Sequence, residues 1–176
     1  YAEVPALVGR LRLLPGTSAR ALEFLILTAA RTSEVREMEW SELSEDGKTW
    51  TVPGERMKGG EAHTVYLTDA ARAVLDRVRG ESERWVFPTP KADAALSNEA
   101  MLMLLRRLKI DDKTTVHGLR KSFSTWGNEV GAARPDAIEA ALAHQEANKV
   151  RAAYNRAEFT EERRALLEKW ATYLSG

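Results

Sequence analysis

The 176-residue chain contains no cysteine. That excludes a disulfide framework, thiolate metal ligation and a cysteine nucleophile, and it fits a reducing compartment. Charge of one sign is equally lacking in excess, since 26 Lys and Arg face 26 Asp and Glu. Bulk charge therefore announces no polyanionic partner, although it leaves the distribution over the surface open. No apolar run approaches the roughly 20 residues that span a bilayer, and no basic-then-apolar leader opens the chain. Low-complexity tracts, repeats and long Pro/Gly/Ser linkers are missing too, so the chain reads as one continuous domain. It begins at Tyr1 rather than Met, which reads as a segment cut from a longer protein. With 44% hydrophobic and 30% charged residues, the composition is that of a globule with a sizeable core.

Periodicity predicts a mainly α fold with a small three-stranded antiparallel sheet. Ser18 caps a strongly apolar helix running to Ala30, and a short helix follows over Ser33–Glu37. The period then changes. Trp40–Leu43, Thr49–Val52 and His63–Leu67 read as strands, with a turn at Glu45–Lys48 and a mobile hairpin tip at Arg56–Glu61 that carries Gly59 and Gly60. Thr68 and Asp69 start a helix to Val78, and Ser97 starts one to Leu108 with Met101, Leu102, Leu104 and Leu105 apolar. Thr115 caps a helix over Val116–Glu129, and Pro135 opens one ending near His144. A short helix is expected at Asn148–Tyr154. Thr160, followed by Glu161 and Glu162, opens the last, with Leu166, Leu167, Trp170 and Tyr173 apolar.

Several residues carry two readings each. His117 and Arg120, three apart on a helix, share a face with Lys121 and Ser124, while Leu119, Phe123, Trp126 and Val130 form the opposite, core-facing stripe. An imidazole beside a guanidinium makes a phosphate site, because the arginine fork matches phosphate oxygens; the bland alternative is a capping histidine and a solvated arginine. Arg31 ends an apolar helix, where a desolvated charge requires either Glu34 as its partner or an anionic ligand. Lys58, beside paired glycines, is a solvated turn lysine or a proton donor that swings over a substrate. His144 closes an apolar helix, where a histidine is a favourable dipole partner. Tyr154, on a short amphipathic helix, reads as a core tyrosine.

In their order along the chain these segments resemble a known pattern. Thr28-Ala29-Ala30-Arg31-Thr32-Ser33-Glu34-Val35, Arg56-Met57-Lys58, His117-Gly118-Leu119-Arg120, Leu142-Ala143-His144 and Ala153-Tyr154 resemble the catalytic domain of tyrosine recombinases, the phage integrase family. Pro53 to Lys58, Thr115 to Trp126, Ala141 to Val150, and Arg163 to Leu166 with Trp170 are similar to the subgroup encoded by prophages and genomic islands. The resemblance implies the tyrosine recombinase catalytic domain fold over residues 1–176, with N-terminal core-binding and arm-binding domains absent. It implies DNA cleavage and rejoining by Tyr154 through a 3′-phosphotyrosyl link, with Arg31 and Arg120 clamping the phosphate. Lys58 would protonate the leaving 5′-oxygen, His117 would assist the nucleophile's proton, and His144 would donate to the phosphate. Neither metal nor cofactor is implied. Two arginines can stabilise developing charge without a metal, and a tyrosine with a pKa of about 10 needs such a cationic site.

The partners implied are double-stranded DNA at attachment sites and further copies of the chain, as a homotetramer on DNA and a monomer for the isolated domain. Accessory DNA-bending proteins belong to the same expectation, as does a place in the bacterial cytoplasm, on the nucleoid and away from membranes. His63 is expected to be structural, and the last helix is expected to pack within its own chain rather than on a neighbour. Two other readings remain open: a DNA-binding or interaction module without catalysis, and a type IB topoisomerase-like relaxing enzyme.

Overall fold

A computed structural model describes residues 1–144 and 159–176. Its centre is helix α2 (Thr17–Thr28), in which every residue from Ala19 to Thr28 is buried. A helix apolar on all sides must be covered on all sides. Helix α1 (Val4–Leu13), α4 (Asp69–Val78), α5 (Ala100–Arg107), α6 (Val116–Glu129) and the last helix, α8 (Thr160–Leu174), all pack against it. Helix α3 (Thr32–Arg36) follows α2 after a three-residue corner, and α7 (Pro135–Ala141) lies against α6 and α8.

Helix α1 was not expected from the sequence. Pro5 stands in its first turn, and Val4, Leu7, Val8 and Leu11 form its buried stripe. Two polar links tie it to α2. Arg12 Nε donates to Glu23 at 2.9 Å, and Arg20 donates to the Leu11 carbonyl.

The sheet has two strands, not three. β1 (Thr49–Val52) pairs antiparallel with β2 (His63–Tyr66), Thr49 opposite Tyr66 and Val52 opposite His63. The expected first strand at Trp40–Leu43 is a 3₁₀ turn over Trp40–Glu42, and only Leu43 bridges to Trp50. The reason lies in distant partners. The Trp40 backbone N–H donates to the Arg84 carbonyl, its indole N–H donates to Ser82, and the Glu42 carboxylate accepts from the Glu39 N–H. Those bonds close a turn where the isolated tetrapeptide reads as a strand.

Capping behaves as local chemistry requires at two of the expected positions. Thr68 accepts from the Ala71 N–H and Thr115 from the Gly118 N–H. Ser18 does not cap α2, which begins at Thr17 behind Gly16 without a side-chain cap. Helix α5 starts at Ala100, three residues after Ser97. In α6, Leu119, Phe123 and Trp126 are buried as expected, whereas Val130 is exposed and Arg120 is buried. The expected helix at Asn148–Tyr154 lies outside the described residues. No described helix is long and apolar enough to cross a membrane.

A helix leaves its last four carbonyls without internal partners. In α2 one of these is met from far along the chain. The indole N–H of fully buried Trp170, on α8, donates to the Ile26 carbonyl at 2.7 Å. The same ring packs on Phe123, Trp126 and Tyr173 with centroids 4.9–5.6 Å apart, so α8 packs within its own chain. Trp170→Phe keeps most of the ring but leaves that carbonyl unpaired in the core. We expect it to lower unfolding free energy by about 2 kcal/mol, read as a fall in the urea midpoint.

Candidate active site

Residue 29 turns the chain out of α2. Ala29 adopts the left-handed conformation (φ 55°), and Arg31 follows in extended backbone at the start of α3. The Arg31 N–H donates to Glu34 at 3.4 Å, and its guanidinium lies 3.6 Å from the same carboxylate oxygen. Glu34 is buried, and burial pushes its pKa up despite the opposing pull of Arg31 and Arg120. Glu34 is thus the partner the sequence offered for Arg31. The arginine nonetheless keeps about a quarter of its side chain (28%) open to solvent, facing a pocket.

Helix α6 brings Arg120 to the same place from the other side. Its Nε donates to the Ala29 carbonyl at 2.8 Å, and one terminal nitrogen donates to the Leu142 carbonyl. The other terminal nitrogen lies 3.4 Å from Nε2 of His144. Only 5% of Arg120 is exposed, so the polar face expected for it is an internal one. Burial, and then the charge of Arg31, lower its pKa to about 10, which leaves it charged at neutral pH. Two guanidiniums in a desolvated corner repel each other, and an oxyanion between them would relieve both.

His144 is delivered by the end of α7. The Ala143 N–H donates to Ala140 and the His144 N–H to Glu139, with Ala143 left-handed at φ 55°. These paired bonds form a Schellman motif with alanine at the position glycine usually holds. The motif curls His144 back over its own helix, where Nδ1 bonds the Glu139 carboxylate. A guanidinium offers no acceptor, so the contact with Arg120 uses the Nε2 lone pair and places the ring proton on Nδ1, toward Glu139. Glu139 was missed in the sequence, because its link to His144 depends on the helix ending at Ala141 rather than running on.

Arg31, His117 and Arg120 together line a pocket of about 340 Å³, with Ser33, Arg36 and Asn98 on its walls. His117 is exposed at the pocket edge, in the first turn of α6. Four of the six sequence-derived candidates therefore meet: Arg31, His117, Arg120 and, through Arg120, His144. Lys58 is exposed on the loop between β1 and β2 and does not line the pocket. That loop, expected as a mobile tip, has an anchored base: Arg56 donates to Glu42 at 3.0 and 2.7 Å. Tyr154 lies outside the described residues.

His63, expected to be structural, stands behind the site on β2. Its environment pulls its pKa down to about 3, chiefly through burial and then the charge of Arg163, with smaller repulsion from Arg31 and Arg120. A bond to the backbone of Ala141 acts the other way. The unfolded chain, with a histidine pKa near 6.5, binds more protons than the folded one between about pH 6.5 and pH 3. Stability from this group is thus full above that window and falls as pH drops through it. We expect wild type to lose roughly 2 kcal/mol more than His63→Gln between pH 7 and pH 4.5, measured by denaturant unfolding at both values. Arg120→Lys keeps a charge but cannot reach both carbonyls. It should cost about 2 kcal/mol at pH 7 in the same assay.

Comparison with known proteins identifies the fold and the family. The E. coli K12 prophage integrase IntA is 38% identical over 149 residues, which cover 83% of this chain and 36% of IntA. The chain thus spans little more than a third of that relative. Among solved structures, XerA recombinase superposes with a TM-score of 0.66 at 17% identity, over 98% of this chain and 62% of XerA. A lambda integrase tetramer bound to a Holliday junction superposes with a TM-score of 0.60 at 17% identity, over 82% of this chain and 46% of that one. The fold is accordingly that of the tyrosine recombinase catalytic domain, mainly helical with a two-stranded sheet. The family model for phage integrases matches residues 2–161, and the chain belongs to the phage integrase family.

Proposed function

We propose that this chain is the catalytic domain of a site-specific DNA recombinase that integrates or excises a prophage or genomic island. The observation that carries the reading is the pocket where Arg31 and Arg120 converge from separate helices beside His117. A phosphodiester is an anion of suitable size and charge for two such forks.

In the reaction proposed, the Tyr154 hydroxyl oxygen attacks a DNA phosphorus and loses its proton with help from His117. The bond from phosphorus to the 5′-oxygen breaks, Lys58 gives that oxygen a proton, and a 3′-phosphotyrosyl link and a free 5′-hydroxyl result. Arg31 and Arg120 neutralise charge building on the non-bridging oxygens. His144, protonated on Nε2 and turned from Arg120 to the phosphate, donates to one of them. The covalent link conserves the bond's energy, so another 5′-hydroxyl can reseal the strand without ATP.

The partner proposed is double-stranded DNA at attachment sites, bound by four copies of the protein, with DNA-bending proteins as accessories. The lambda integrase neighbour, a tetramer on a Holliday junction, supports that assembly by analogy of fold. A cytoplasmic site of action follows from the substrate.

The test is covalent capture. The complete polypeptide carrying this chain is mixed with nicked duplexes built from the junctions that flank its gene. We expect a protein–DNA adduct that survives denaturant, forms equally in the presence of chelator, and is lost in Tyr154→Phe. DNA bound but never captured would overturn the catalytic reading in favour of a binding module. An adduct persisting in the Phe variant would overturn the choice of tyrosine.

A further inference from the structure

Arg56 precedes Lys58 by two residues, and its guanidinium holds two parts of the fold together. Its Nε and Nη2 donate to the Glu42 carboxylate at 3.0 and 2.7 Å. Its Nη1 donates to the Ser33 carbonyl and its Nη2 to the Glu34 carbonyl, both at 3.2 Å. Helix α3 is five residues long, and both carbonyls lie in its last turn, where the Ser33 carbonyl also accepts from the Glu37 N–H at 3.2 Å. Glu42 is itself fixed, being buried to 6% exposure and accepting the Trp50 indole N–H at 3.2 Å. One planar fork therefore ties α3, which starts at Arg31, to the base of the Lys58 loop. A lysine ammonium cannot span these partners at once.

The loop above this anchor closes tightly on itself. The Gly60 N–H donates to the Met57 carbonyl at 3.0 Å. The Gly60 carbonyl oxygen sits only 2.5 Å from where a Cβ on Gly54 would be, so Gly54 admits no side chain. Residues 55–59 are thus a short closed segment, held by the Arg56 fork on one side and by Met57 packed against the core on the other. The Arg56 fork is the part of that anchorage that links the Lys58 backbone to α3 and so to Arg31.

We propose that Arg56 is a positioning residue for Lys58, holding the loop so that the ammonium reaches the leaving 5′-oxygen of a phosphate bound at Arg31 and Arg120. The inference rests on the recombinase reading and on Lys58 as the proton donor. Arg56 itself does not line the pocket formed with Arg31 and Arg120. Its loss should impair protonation of the leaving group and leave DNA binding intact.

A leaving sulfur separates that role from a merely structural one, because a thiolate departs without a proton where an alkoxide cannot. The complete polypeptide is assayed on nicked duplexes with either the ordinary 5′-oxygen or a 5′-bridging sulfur at the scissile phosphate. Lys58→Ala should cleave ordinary DNA about 100-fold or more slower than wild type and recover near wild-type rates on the sulfur substrate. Arg56→Gln should lose at least about tenfold on ordinary DNA, recover on sulfur, and bind DNA with unchanged affinity. In combination with Lys58→Ala it should add nothing further. Arg56→Lys, which keeps the charge beside Glu42, should show the same pattern at smaller amplitude and serves if Arg56→Gln does not fold. Equal slowing on both substrates by the folded Arg56 variants would overturn the proposal while leaving Lys58 as the acid. Failure of sulfur to restore Lys58→Ala would overturn the assignment of Lys58 and this inference with it.

Discussion

The Arg120 guanidinium bridges the ends of two helices, and the site is organised around that bridge. It takes the Ala29 carbonyl at the end of α2 and the Leu142 carbonyl at the end of α7, and its third edge meets His144. Both helix ends turn through an alanine in left-handed backbone, a conformation glycine adopts at less cost. The charged hydrogen bonds to Arg120 act directly at those two corners, and each corner delivers a functional side chain. Ala29 leads into Arg31, and Ala143 leads into His144.

The bridge carries an electrostatic cost. Arg120 is desolvated and close enough to Arg31 for the two charges to oppose each other, and Glu34 balances them only in part. Glu34 is buried deeply enough that its own ionisation is disfavoured. Among the described residues, the corner thus holds more positive charge than buried Glu34 offsets comfortably, which is the condition under which an external oxyanion is attracted. Outside this corner the arginines are engaged differently. Arg56 forks onto Glu42, and Arg134 pairs with Glu162 across α7 and α8 at 2.7 Å. The balanced composition therefore conceals a locally cationic pocket lined by Arg31, Arg36 and Arg120.

Much of this was legible along the chain. The apolar length of α2, the threonine caps of α4 and α6, and the acidic first turn of α8 are local signals, and local physics decided them. Other signals were local but incomplete. The Val4, Leu7, Val8 and Leu11 stripe of α1 is interrupted by Gly9 and charged residues, and its helix is completed by packing on α2 and α8. Trp40–Leu43 reads like a short strand, yet bonds to Ser82 and Arg84 fold it into a turn. Spacing placed His117 and Arg120 on one face of α6, but the neighbours covering that face come from residues 29 and 142.

The sequence alone determined the helices with strong periodicity, the likeness to the phage integrase family and the residue types available for chemistry. Those depend on side-chain identity and on neighbours within a turn or two. Only the tertiary structure decided that Arg31, His117, Arg120 and His144 stand together, that Arg120 is buried, and that Arg56 anchors the Lys58 loop. Periodicity reports the angle of a residue about its own helix. It does not report which distant backbone carbonyls will need a donor, and in this fold those carbonyls placed the arginines.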